Sequence, residues 1–236
     1  MDIKEVEILG DHVNKHWYYI SKSKALLKLM DGISPCKIMD VGAGSGYFSK
    51  FLLNNTTASE SMCVDISYEK EETLTENGKS IHFVRAVEKS HSDLVLLMDV
   101  MEHVDDDVDL LSNYVKKVDI GTKFLISVPA FEWLWSPHDD FLGHCRRYTL
   151  SQLENSVEQS GLSINKSCYY FGMVLPLAIA TRLLSRRSKN KCSQLKKHNV
   201  FTNAILKALC SIDLLLFRQN KLGGLTVFCY AEKKHD

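Results

Sequence analysis

Two stretches of this 236-residue chain hold residue types spaced for chemistry. The first is Asp40-Val41-Gly42-Ala43-Gly44-Ser45-Gly46, an acid followed by three alternate glycines. Glycine at that spacing lets the backbone approach a ligand with no Cβ between them. A helix beginning just behind it offers unpaired N–H groups to an anionic group. The second stretch is Pro129 to Thr149, which carries two Trp, two His, two Asp and two Arg. Long connections so rich in polar groups usually serve function rather than linkage. His138, with Asp139 orienting it, reads as a base for a substrate hydroxyl, and His144 as a second base. The planar fork of Arg147 suits a phosphate or carboxylate. The same charges also read as ion pairs that hold the loop closed.

The elements needed to position these residues follow from apolar patterning. Ile38 to Val41 is a short apolar run typical of a buried parallel strand. Tyr47, Phe48, Phe51 and Leu52 then recur at helical spacing. Strand, glycine turn and helix make the first unit of a doubly wound sheet, with ligands beyond the strand's carboxyl end. Ser61 to Val64 is the next strand, and Asp65 ends it about 20 residues after the glycines, placed to grip ribose hydroxyls. A dinucleotide fingerprint would need glycine where Tyr47 stands, and a Walker loop would need a Lys-Ser or Lys-Thr pair that does not follow. Further along, the pattern predicts a charged helix from Tyr68 to Glu76, a turn at Asn77-Gly78 and a strand from Ile81 to Arg85. Strands at Ser92–Met98, Phe124–Val128 and Leu162–Tyr170 alternate with helices at Asp106–Lys117 and Leu150–Ser160, the latter capped by Thr149.

The acidic-x-Gly-x-Gly-x-Gly turn with Asp65 resembles the first motifs of class I S-adenosylmethionine (SAM)-dependent methyltransferases. Asp99-Val-Met-Glu-His-Val104 is similar to the segment that floors the space between cofactor and acceptor in that superfamily. His16-Trp17-Tyr18-Tyr19 and the Trp135-Ser-x-His-Asp…Gly143-His-x-Arg-Arg-Tyr-Thr149 order resemble a bacterial group linked to surface-glycan and lipid pathways. The matching segments span residues 12 to 153. The resemblance implies one domain over residues 1–236, a Rossmann-like α/β fold with a seven-stranded, mostly parallel sheet, helices on both faces and an antiparallel last strand at Gly224–Ala231. Residues 12–32 would form an N-terminal cap, and residues 172–220 a helical insertion before the last strand. It implies SAM held by Asp40, Gly42, Ala43, Gly44, Tyr47, Asp65, Ile66, Ala86, Val87, Met98, Asp99 and Val100. It further implies O-methylation of a small or lipid- or glycan-linked acceptor, served by His138, Asp139, His144 and Arg147. The related group carries Arg where this chain has Ser21 to Lys24. Glu102 and His103 are candidate metal ligands but too few for a site, so no metal is expected. Two alternatives stand beside this reading: a SAM-binding protein without turnover that acts through a partner, and a nicotinamide-dependent oxidoreductase, which Tyr47 disfavours.

Composition bounds the partners. Lys plus Arg and Asp plus Glu are equal at 29 each, so net charge points to no partner. Charge distribution is more telling: no acid occurs between Gln159 and Ile212, and residues 182–198 are strongly basic. That stretch lacks the interleaved aromatics of a nucleic-acid platform, which leaves two readings, the solvated turn of a helical hairpin packed on the sheet and, more sharply, peripheral membrane contact through 182–198. The seven scattered cysteines, with no C-x-x-C pair, read as reduced thiols. The start of the chain lacks the basic-then-apolar order of a signal peptide, and no apolar run appears long enough to span a bilayer. The expectation is a cytoplasmic protein, attached at most to the inner membrane surface.

Overall fold

The computed structural model describes residues 10–30, 32–185 and 199–235. Eight strands form one sheet: β1 (Lys37–Val41), β2 (Glu60–Val64), β3 (Glu72–Glu76), β4 (Lys79–Val84), β5 (Leu94–Met98), β6 (Lys123–Pro129), β7 (Ser163–Tyr170) and β8 (Thr226–Glu232). Their order is β3-β4-β2-β1-β5-β6-β8-β7. The pairings among β4, β2, β1, β5 and β6 are parallel, while β3 and β8 run antiparallel to their neighbours. Seven α-helices accompany it among the described residues: α1 (Trp17–Leu29), α2 (Tyr47–Asn55), α3 (Asp107–Lys116), α4 (Pro137–Leu142), α5 (Leu150–Gln159), α6 (Leu175–Ser185) and α7 (Val200–Leu216).

Period-two alternation explains why both sheet faces are covered. On β5, Leu94, Leu96 and Met98 join the core beneath α1, α2 and α7, while Val95 and Leu97 join the opposite core beneath α3 and α5. On β8, Phe228 points to the first core and Val227, Cys229 and Ala231 to the second. A strand buried on both sides has no polar face, so polar chemistry is confined to strand ends and the loops beyond them.

Three expectations change. Residues 72–76 form a strand where a helix was predicted, and the sheet has eight strands instead of seven. Asn77 and Gly78, both with positive φ (54° and 75°), make the tight turn that pairs β3 with β4. Asn-Gly is a hairpin signal that outweighs the helical content of the preceding glutamates. The exposed β3, with a glutamate at each end, also protects the sheet edge from further pairing. Finally, Val200–Gln219 is long and apolar enough, by length and composition, to cross a membrane. Of the basic stretch 182–198, residues 186–198 lie outside those described.

Gly224 stands where β7 and β8 meet. A Cβ there would overlap the Tyr170 backbone carbonyl, which accepts from Leu225 N at 2.9 Å. Gly224→Ala is expected to cost about 3 kcal/mol by overpacking against immovable backbone. Thermal unfolding would register this as a Tm lower by roughly 6–12 °C; an unchanged Tm would contradict the packing described.

Candidate active site

The glycine turn is built by mutual constraint. Gly42 (φ 62°), Gly44 (φ 54°) and Gly46 (φ 69°) all take left-handed backbone. A Cβ on Gly42 would sit 2.7 Å from Val100 Cγ2, and one on Gly46 about 3.1 Å from the Phe83 ring. Gly42 N donates to Val64 O at 2.8 Å, which ties the turn to the end of β2. Asp65 faces the turn, its Oδ2 accepting from Gly44 N at 2.9 Å and its Oδ1 from Ser67 N at 2.9 Å. The Tyr68 hydroxyl donates to Gly44 O at 2.7 Å.

Because β4, β2, β1 and β5 are neighbours, their carboxyl ends bring Ala86, Val87, Asp65, Ile66, Gly42, Ala43, Gly44, Asp99 and Val100 to one edge of the sheet. Ile66 is 82 % exposed there, an apolar platform bare to solvent. Asp40 and Met98 instead lie buried beneath the turn. Asp40 accepts from the Ser49 hydroxyl at 2.8 Å, and burial pushes its carboxyl up to about 6 despite that bond. Its place is at the β1–α2 joint. Tyr47 packs edge-on against Tyr19 of α1 at 5.4 Å, so it serves helix docking more than the open crevice.

Helix α1 lies against α2 and α7 and reaches the end of β5. Lys22, fully buried, makes an ion pair with Asp99. The Lys22 Nζ also donates to the Tyr18 hydroxyl at 3.2 Å, and Ser127 donates to Asp99 Oδ1 at 3.1 Å. Burial alone would raise Asp99, yet the Lys22 ammonium outweighs it and holds the carboxyl below its ordinary value. Asp99 also sits at φ 57°, a strained conformation for a non-glycine residue. Lys24 is exposed. Composition could not separate the two lysines; the docking of α1 does.

The long loop after β6 closes on Asp139. Its Oδ2 accepts from Ser136 N at 2.8 Å and the Ser136 hydroxyl at 3.0 Å, closing a capping box at the start of α4. Its Oδ1 lies 2.9 Å from His144 Nδ1 and accepts from Arg147 Nε at 2.7 Å. Burial would raise this carboxyl, but His144 and Arg147 together hold it well below the usual carboxylate range. The carboxylate expected to orient His138 therefore orients His144. Arg147 Nη1 donates to Ala130 O at 3.0 Å, so much of the guanidinium expected to bind a ligand is spent on holding the loop. Arg146 pairs with Asp107 at 3.3 Å, and Tyr148 and Ser156 each donate to Asp107 at 2.9 Å. Thr149 caps α5 as predicted.

A cavity of about 140 Å³ opens between this loop and the end of β5, lined by Tyr18, Asp99, Glu102, His138, His144 and Arg147 among others. Arg182 of α6 reaches it as well, 35 residues beyond Arg147, and its guanidinium donates to Leu134 O. Burial, with the Arg147 charge beside it, lowers Arg182 to about 10, still cationic at neutral pH. Glu102 is fully buried, and neither carboxylate oxygen has a hydrogen-bond partner. Burial, then the Asp99 charge, pushes it well above its ordinary value. His144 adds a third donor to Glu102 and His103, with ligand atoms all within 4.8 Å of one another. Two ligands in the sequence become three in space, enough to hold a divalent ion. Tyr18, Lys22 and Arg182 carry no local signal, since each depends on contacts between distant segments, while His144 meets Asp139 across the single α4 turn.

Comparison with known proteins bears on the family and the fold. The family described as methyltransferase domain matches residues 15–167. A search of curated proteins returned no match. Among solved structures, the putative methyltransferase of Haloferax volcanii in complex with its Trm112 activator superposes with a TM-score of 0.57 at 13% identity, covering 95% of this chain and 92% of that one. A SAM-dependent methyltransferase from Archaeoglobus fulgidus gives 0.56 at 14% identity, covering 98% of each chain. Phosphoethanolamine N-methyltransferase 2 of Haemonchus contortus with bound SAM gives 0.57 at 16% identity, covering 99% of this chain and 57% of that one. At such identities the likeness speaks to the fold.

Asp139→Asn should destabilise the protein by about 3–5 kcal/mol at neutral pH, because Arg147 is left buried without its charge partner. A carboxyl depressed in the folded state contributes fully above its unfolded value, about 3.9, and loses that contribution as pH falls below it. The stability gap between native and variant, measured by urea unfolding, is therefore widest at pH 7 and narrows below pH 4. A gap independent of pH would contradict the ion-pair geometry.

Proposed function

Because the chain belongs to the methyltransferase-domain family, we propose that it transfers the SAM methyl group to a hydroxyl oxygen of a small or lipid- or glycan-linked acceptor seated in the cavity beside α4. The single observation that carries the choice of oxygen is the His144–Asp139 pair in a cavity bordered by Asp99 at the end of β5. In this reading Asp65 takes the cofactor's ribose hydroxyls, the bare backbone at Gly42 and Gly44 lies against its amino-acid tail, and Ile66, Ala86 and Val87 edge its adenine. Family membership displaces the nicotinamide alternative. A chain that binds SAM without turnover would bind it tightly yet yield no methylated product.

The sulfonium methyl is already activated, so the protein's main task is alignment, which supplies about 7–11 kcal/mol of such barriers. The acceptor hydroxyl yields its proton to His144 Nε2 as its oxygen bonds the methyl carbon. The C–S pair returns to sulfur, giving S-adenosylhomocysteine. Asp139 fixes the ring through Nδ1 and stabilises the imidazolium that forms. Arg182, with the remainder of Arg147, favours an acceptor carrying a phosphate or carboxylate near its hydroxyl. His138 borders the same cavity and stands as the second base.

A second reading follows from the unpartnered Glu102 carboxylate, in which Glu102, His103 and His144 hold a divalent ion that positions the acceptor oxygen. Chelator treatment separates the two. Turnover that is lost with chelator and restored by Zn²⁺ or Mn²⁺ selects the ion; unchanged turnover selects direct proton transfer.

Asp65→Ala is expected to weaken SAM binding at least ~10-fold, about 1.4 kcal/mol, in calorimetric titration, with folding intact. With acceptors found by screening hydroxylated phosphates and carboxylates for S-adenosylhomocysteine release, His144→Ala should lower kcat by roughly 10²–10⁴ while leaving the SAM affinity unchanged. Retained kcat in His144→Ala would remove the base assignment.

A further inference from the structure

The α6–α7 pair shows apolar residues on its outward side as well as its inner one. A surface helix normally hides its apolar stripe and shows its polar one. On α7 the residues facing solvent are Val200, Phe201, Ala204, Ile205, Ala208, Ser211, Ile212, Leu215 and Leu216, with no charge among them. Phe201 is 75 % exposed, Leu215 74 % and Leu216 67 %. Their spacing by threes and fours makes one continuous stripe along a 17-residue helix, roughly 25 Å long. On α6 and the turn before it, Met173, Pro176, Leu177 and Ala180 are exposed in the same way. Contiguous apolar surface on this scale marks an interaction site.

Charge decides the occupant. Between Ser160 and Ala231 the only acid is Asp213; every other charged residue is Lys or Arg. Asp213 is turned inward, accepting from Gly172 N at 2.7 Å. A second copy of this chain would bring the same excess of Lys and Arg in this part of the sequence, and like charge opposes such pairing. An anionic lipid surface instead attracts them while its acyl boundary accepts the stripe.

The contacts of α7 with the domain suit a helix that lies along such a surface and does not cross it. Its inner side is rooted in the domain: Leu206, Cys210 and Phe217, just past its end, belong to the core, and the Tyr170 hydroxyl donates to Cys210 O at 3.0 Å. Asn203 Nδ2 donates to Lys15 O at 2.8 Å, and Asn203 Oδ1 accepts from Trp17 N at 2.8 Å. Spanning a bilayer would tear these contacts away. We propose that the outward face of α6 and α7 docks the protein on anionic membranes as an in-plane apolar stripe. The proposal stands on the exposure pattern and holds whether or not the acceptor in the cavity is itself a lipid.

Vesicle co-sedimentation of the full chain tests this, using phosphatidylcholine alone or mixed with phosphatidylglycerol. Binding to the mixed vesicles is expected to exceed binding to the neutral ones at least ~10-fold. The Phe201→Asp/Leu215→Asp double variant should lose it while keeping its Tm and SAM affinity. On the native chain, hydrogen exchange should slow in α7 on mixed vesicles and remain unchanged in α3 and α5 on the opposite face, a readout that does not depend on the variant's folding. Absence of binding to mixed vesicles, binding retained by the double variant, or a solution dimer dissolved by the same substitutions would each overturn the proposal.

Discussion

The backbone of Gly42 lies against the side chain of Val100, and the crevice depends on that approach. Strands β1 and β5 are adjacent, so whatever follows each of them meets at their shared carboxyl end. A Cβ at position 42 would meet the Val100 side chain at 2.7 Å, so one of the two segments would have to shift. The left-handed backbone at Gly42, Gly44 and Asp99 reflects the same crowding: two segments turn sharply close to each other. Asp65 and Tyr68 then brace the turn from the β2 side.

Around this joint the protein buries charge, and it does so with different degrees of compensation. Asp139 is fully served by Ser136, His144 and Arg147, and the ionised form is favoured. Lys22 and Asp99 neutralise each other at the seam between α1 and the sheet. Glu102, one turn further along, has no such partner and resists ionisation. A buried acid without a partner is costly in a purely structural role, so its position against the cavity favours a part in what the cavity holds. Glu102 and Asp139 are fully buried and Asp99 is partly exposed, and the ionisation of each follows what stands beside it.

The molecule thus presents two unlike surfaces. The crevice at the strand ends is polar and tightly specified by hydrogen bonds. The α6–α7 face is apolar, uncharged and specified only by helical periodicity. Helix α6 joins them, since Arg182 borders the cavity while Leu177 is exposed on the other surface. A domain whose binding chemistry and apolar face are linked by one helix can place a reaction next to an interface without a separate anchor.

Much of this was legible from local pattern alone. The glycine turn, Asp65 at the end of β2, the buried character of β1 and β5, and the Thr149 cap each depend on residues close in sequence, whose periodicity and backbone preferences act over a few positions. Even the β3–β4 hairpin was signalled by Asn77-Gly78, although the glutamates before it pointed to a helix. Which residues meet across the fold was a different matter. Lys22 and Lys24 are equivalent in composition, and only the docking of α1 buries one and exposes the other. Asp139 stands next to His138 in the chain, yet the α4 turn carries its carboxylate to His144. Arg182 reaches the cavity across the helical insertion, and the outward stripe of α7 became visible only once its inner face was seen to be occupied. Short-range preference sets the elements because it is a property of neighbouring residues; long-range packing alone sets which side chains share a dielectric environment, and that decided the chemistry.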